Sequence, residues 1–235
     1  MRATWTAAGS VLVMALLAVL LPSERADACC MAPQLRFARG TPEGVELGAG
    51  GAALVAVRMG YGAGTPYRQS IHELAVAQGA QRVRARLEWI VPGLARLVPA
   101  TALGAGAWMI DGLDGPSELR IGSAPLPPPL AAPQVRAIRR TESEVRFATI
   151  VNVEADLAAP IPAGAVFVIA TWGGAAGTYA AATSGESTSR IFSSPGRCGA
   201  TAPGHEPPPR GARTRVAFVD AQGRASAWSQ DVVVQ

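Results

Sequence analysis

The sequence predicts an all-β protein of two tandem sandwich domains behind a cleaved signal peptide. Three observations predict it. Apolar and polar residues alternate at period two in Gln81–Val91 and Glu144–Val153, 26 glycines and 19 prolines punctuate the chain at short intervals, and one proline-dense stretch, Gly122–Pro133, divides it near the middle. Period two sends successive side chains to opposite faces of a pleated strand, so each such segment buries one face and wets the other.

The first 28 of the 235 residues have the make-up of a secretory leader. Arg2 gives a basic start, Val11–Leu21 is an unbroken apolar run, and Pro22 ends it ahead of Ala26-Asp27-Ala28, an A-x-A cleavage pattern. As a helix that run rises only about 16 Å, against a hydrocarbon core of roughly 30 Å. No comparable run follows, so no transmembrane span is expected. Removing the leader leaves 207 residues, a natural length for two domains.

Cys29 and Cys30 open the mature chain, and Cys198 lies in the loop Ser193–Ala212. An oxidising compartment allows one disulfide and leaves one thiol over. Two solutions stand. Either Cys30 or Cys29 bridges Cys198, or Cys29 carries a lipid anchor while Cys30 pairs with Cys198. The residues before Cys29 lack the aliphatic side chain that lipoprotein signals place three positions ahead of the modified cysteine.

The first domain, 29–122, is expected to hold seven strands: Gln34–Ala38, Ala52–Met59, Ile71–Ala77, Gln81–Val91, Leu94–Val98, Ala107–Ile110 and Glu118–Ile121. Turns fall at Gly48–Gly51, Gly60–Pro66, Gln78–Gly79 and Asp111–Gly115. Ile71–Ala77 also suits a short helical turn, since an apolar run alone does not decide between the two. In Gln81–Val91, Val83, Ala85, Leu87 and Trp89 share one face, and Arg82, Arg84 and Arg86 share the other.

The linker, 123–133, has too few backbone donors for a sheet and favours extended polyproline geometry. It is expected to hold two independent cores at a restricted distance. The second domain, 134–235, shows Val135–Ile138, Glu144–Val153, Ala165–Trp172, Thr178–Ala182, Ser187–Phe192, Val216–Asp220 and Ala225–Val234. Ala165–Trp172 is apolar almost throughout, as a strand covered on both faces must be. Ala221-Gln222-Gly223-Arg224 suits a hairpin with glycine at a positive φ. Aromatic residues are only 6% of the chain, which makes Trp89, Trp108, Trp172 and Trp228 the expected core anchors.

Arg215-Val-Ala-Phe-Val-Asp220-Ala-Gln-Gly-Arg-Ala-Ser-Ala-Trp228-Ser-Gln resembles the closing hairpin of fibronectin type III and immunoglobulin-like modules in exported bacterial proteins. Leu97-Val-Pro-Ala-Thr-Ala-Leu103-Gly-Ala-Gly-Ala-Trp108-Met-Ile is similar to a bacterial Ig-like pattern. The two stretches cover about 30 residues and specify packing and turns. Together they imply tandem Ig-like/fibronectin type III-like β-sandwiches, and a binding, spacing or adhesive role by analogy.

All 21 basic residues are arginine and the net charge is +4, unchanged by cleavage after Ala28. So mild an excess, with no basic-aromatic stripe, does not suit a nucleic-acid partner. His72-Glu73 begins like a zinc-protease helix, but Val76 stands where the second histidine belongs. His205 sits in a proline-rich loop, and neither histidine accompanies a G-x-S-x-G turn. Asp111-Gly-Leu-Asp114-Gly offers two carboxylates, where calcium takes six to eight oxygens. No enzymatic activity, cofactor or metal site is therefore expected.

Arg82, Arg84 and Arg86 form the candidate contact face, with guanidiniums about 7 Å apart that can each fork onto a carboxylate or phosphate. The plainer alternative is a solvated sheet face whose neighbours supply the carboxylates. The expected function is an exported, non-enzymatic binding or structural module of the cell envelope or extracellular space, its partner a protein or an envelope polysaccharide. Two other readings stand beside it: a periplasmic copper or redox protein using Cys29-Cys30-Met31 as soft ligands, and an accessory domain pair of a secreted enzyme system. Cleavage after Ala28 predicts a mature chain that starts at Cys29. Intact-mass measurement with and without reduction checks this, and a lipid adduct identifies the anchored form.

Overall fold

The structure, a computed structural model, describes residues 34–37, 46–58, 74–113, 117–145, 148–173, 176–193 and 207–235. The leader, all three cysteines, Met31, both histidines and Asp114 lie outside the described residues. Among those described, all regular structure is strand, and no helix is long and apolar enough to cross a membrane.

In the first unit the alternating segment is β5 (Gln81–Val91), with Val83 and Leu87 buried and Arg82, Arg84 and Arg86 exposed. It pairs with β4 (Leu74–Gln78) on one side and β6 (Leu94–Pro99) on the other. Pro92-Gly93 makes the β5–β6 turn, and Gly93 at φ 83° suits the third position of a type II turn. The strand alternative for Ile71–Ala77 therefore holds where the chain is described: β4 bonds to β5 and also to β7 (Gly106–Asp111).

With β1 (Gln34–Phe37), β2 (Glu46–Leu47), β3 (Ala53–Arg58) and β8 (Glu118–Ile121), these strands form one sheet of eight. Its order is β1-β3-β6-β5-β4-β7-β8-β2. Where a sandwich predicts two facing sheets, this unit has one continuous ladder rolled over its own core. Only residues 48–52 connect β2 to β3, although the two lie six strands apart in the ladder. A flat sheet would separate them by about 29 Å, whereas the connection reaches at most about 20 Å. The sheet must curl, and Leu47 of β2 duly shares a buried cluster with Ala53 and Val55 of β3 and with Trp108 of β7. The Trp108 indole donates to the Gly104 carbonyl at 2.9 Å.

The second unit is a two-sheet sandwich. Its strands are β9 (Val135–Val145), β10 (Ala148–Leu157), β11 (Ala165–Trp172), β12 (Ala176–Ala181), β13 (Thr188–Ser193), β14 (Arg213–Asp220) and β15 (Val232–Val233). One sheet has the order β13-β10-β9 and the other β12-β11-β14-β15. Between them lie Ile138, Val153, Leu157, Val168, Trp172, Ile191, Val216 and Phe218.

Two sequence expectations are corrected here. Glu144–Val153 is not one strand: β9 runs to Val145 and β10 starts at Ala148, with Val145 opposite Ala148. Alternation continues through both arms of a hairpin, so periodicity did not reveal the bend. Ala225–Val234 is not a strand either, apart from β15. Ser226 and Ser229, three apart, face Phe218 and Val216, two apart. Each serine donates its backbone N–H to the opposite carbonyl at 2.8 Å and accepts the opposite N–H on its hydroxyl at 3.0 Å. Hydroxyls thus replace the carbonyls that a regular strand would present, and both serines are buried.

A third cluster joins the units. Leu54, Val91 and Leu94 of the first pack on Phe167, Ile169, Ala217 and Val219 of the second, with Ile90, Tyr179 and Trp228 at the margin. A register shift between Trp89 and Val91 breaks the alternation of β5 where Val91 joins this cluster. The expected spacing of two independent cores is therefore replaced by direct docking. The linker is tied at both ends, with Ala49 N–H donating to the Ala124 carbonyl at 3.1 Å and Leu130 packing into the second core. Trp108 and Trp172 are the buried anchors, while Trp89 and Trp228 are half-buried at cluster margins.

The β14 turn latches the units. The Asp220 carboxylate accepts from Gln222 N–H and Arg224 N–H at 2.9 Å, and from Arg224 Nε and Nη2 at 2.9 and 2.7 Å. The shaped loop presents Gln222, whose side-chain oxygen accepts from Gly48 N–H at 2.8 Å and whose carbonyl accepts from Ala52 N–H at 3.0 Å. Gly223 sits at φ 73°, and a Cβ there would collide with the Ala52 carbonyl oxygen. Phe167→Ala is expected to cost about 3–5 kcal/mol, and Gly223→Ala about 1–3 kcal/mol through strain and the lost close approach. Denaturant midpoints check both, and unfolding of the wild-type units in a single transition checks the docking.

Candidate binding face

The outer face of the rolled sheet carries the arginines that the sequence singled out. Inner residues Val83, Val76 and Ile110 lie side by side across β5, β4 and β7, which turns Arg82, Arg84 and Arg86 outward with Ala75, Ala77, Met109 and Asp111. Met109 is the one exposed large apolar side chain of the first unit among the described residues.

The arginines differ in their partners. Arg82 reaches across β4 to Asp111 at 3.2 Å, and Arg86 bonds Glu88 at 2.6 Å. Glu88 also holds Arg96, directly opposite on β6, through Nε at 2.7 Å. Arg84, between the two paired residues, has no ion pair among the described residues. On β8, Arg120 bonds Glu118 at 2.8 Å. Glu46 of β2 lies opposite Arg120 on the same side, so among the described residues Arg82, Arg84, Arg86, Arg96 and Arg120 share this side of the sheet with four carboxylates, Glu46, Glu88, Asp111 and Glu118. Exposed pairs of this kind are worth roughly 0–1 kcal/mol each, so a multivalent anion can exchange with them at little cost.

Glu88 is the pivot of the face. Hydrogen bonds from Arg96, then from Arg86, hold its carboxyl below the ordinary value of 4.5. Burial has the opposite effect on Tyr179, whose phenol is raised above 10.0 where it meets Phe167 edge-on at 5.6 Å in the third cluster. In the second unit Arg215 lies over the Trp228 ring at 5.7 Å, a cation–π contact that secures the closing segment.

The remaining sequence candidates separate by location. Asp111 of the acidic turn spends its carboxylate on Arg82. Cys29, Cys30, Cys198, His72 and His205 are outside the described residues, and no group of three or more metal-ligating side chains gathers among the described ones. Sequence reasoning missed Arg96 and Glu88 as partners, because their adjacency depends on cross-strand register; their opposite charges near a hairpin were the available signal. No protein-family model and no curated protein matches this chain.

A depressed carboxyl contributes stability above its unfolded pKa and loses it as pH falls through the folded value. Glu88 is therefore expected to titrate below 4.5, and Arg96→Gln to return it toward that value. Carboxyl-carbon NMR titration of the two proteins reads the difference.

Proposed function

We propose that the chain is an exported, non-enzymatic binding module of the cell envelope or extracellular space, whose first unit holds an anionic polysaccharide on the Arg82/Arg84/Arg86 face. Export rests on the leader, with Ala26-Asp27-Ala28 as the cleavage site. For the second unit we adopt the fibronectin type III-like reading: three strands in the order five-two-one face four in the order four-three-six-seven, a Greek-key partition with the fourth strand on the opposite sheet from the fifth.

The observation that carries the binding role is Arg84. It stands exposed on a rigid strand, without an ion pair among the described residues, between two arginines held only by exchangeable surface pairs. A polymer with carboxylates at regular intervals meets three guanidiniums in line, and docking of the units keeps the face from deforming.

Retention of the purified exported protein on immobilised polygalacturonate, with dextran as the neutral control, tests this. Binding to polygalacturonate alone is expected, falling steeply by about 0.5 M salt, where screening is nearly complete. Changing Arg82, Arg84 and Arg86 together to Gln is expected to weaken it by about tenfold or more. Equal retention by the triple variant, or indifference to salt, overturns the proposal.

A further inference from the structure

A cleft of about 320 Å³ opens at the seam of the rolled sheet. Its cause is topological. β2 pairs with β8, and β3 pairs with β1 and β6, so residues 48–52 connect two strands of the sheet that do not pair with each other. The wall between β6 and β8 stays open there. Leu97, Leu119 and Ile121, which face the first core, floor the opening. Leu103 lines it as well, and Arg96 and Glu88 stand in its wall.

We infer that this seam binds a small amphipathic carboxylate, with its apolar body on Leu97, Leu103, Leu119 and Ile121 and its carboxylate on Arg96. The apolar lining selects the body, and the volume, near the lower end of ordinary ligand pockets, keeps it small. Charge selects the head group. Arg86 and Arg96 share the single Glu88 carboxylate, so this side of the cleft carries one positive charge in excess. Arg96 addresses Glu88 through Nε and Nη2, which leaves Nη1 with donors to spare. A carboxylate binding there completes a two-cation, two-anion cluster, whereas a neutral alcohol of the same shape gains only the apolar contact. The site shares Arg96 and Glu88 with the outer face but differs from the polymer face in its apolar floor of Leu97, Leu119 and Ile121, and it does not require Arg82 or Arg84.

The probes are 4-phenylbutyrate and 4-phenylbutanol, which share a body and differ in the head group. Methyl NMR of the full exported chain is expected to show phenylbutyrate shifting the Leu119 and Ile121 signals, with an affinity about tenfold above that of the alcohol, the usual worth of one charge-assisted hydrogen bond. Arg96→Gln changes an exposed side chain and is expected to erase that preference while both probes still reach the methyls. Leu103→Trp, which fills the cleft, is expected to abolish both. The inference is overturned if neither probe shifts these methyls at millimolar concentration, if acid and alcohol bind alike to the wild type, or if Arg96→Gln keeps the preference for the acid.

Discussion

Burial of β11 and β14 on both faces is the constraint that organises this molecule. Val168, Ala170 and Trp172 look into the sandwich, while Phe167 and Ile169 look out, and the outward pair would be an exposed apolar patch if the second unit stood alone. Val216 and Phe218 alternate with Ala217 and Val219 in the same way. Leu54, Val91 and Leu94 cover that outward surface. The hydrophobic effect therefore acts three times in one chain, and its third action fixes the position of the first unit on the second.

Docking makes several local features intelligible. Val91 departs from the alternation of β5 through a register shift, and its place is in the third cluster. Asp220 is almost wholly buried, yet four donors satisfy it, so its cost of desolvation is met inside one tight loop. That loop in turn aims Gln222 at the β2–β3 turn, where amides at the sheet seam need acceptors. The turn that rolls the first sheet and the turn that latches the units are thus held by the same residue.

Much of this was legible. The exposed arginines of β5, the turn at Gln78–Gly79, the glycine at position 223 and the doubly covered β11 all follow from rules that act within a few residues: pleat, φ preference and apolar continuity. Other elements were not. β9 continues through Arg139–Glu144, whose polar side chains carry no period, because those residues are held by backbone pairing to β10. β2 is too short to show a pattern and exists because β8 lies beside it. Of the candidate site, the arginines themselves could be read, whereas the ion pairs that tether Arg82 and Arg86 and leave Arg84 open depend on partners from β7, on Glu88 and on Arg96 of β6.

By itself, then, the sequence determined the strand character of the chain and the faces of its strongest strands, since each is a short-range consequence of side-chain alternation, glycine and proline. Tertiary structure alone decided that the first sheet rolls upon itself, that the halves dock, and that the seam stays open. Those outcomes depend on which strand edges and apolar faces meet across long stretches of chain. A linear pattern states that a face must be covered, but it does not name the residues that cover it.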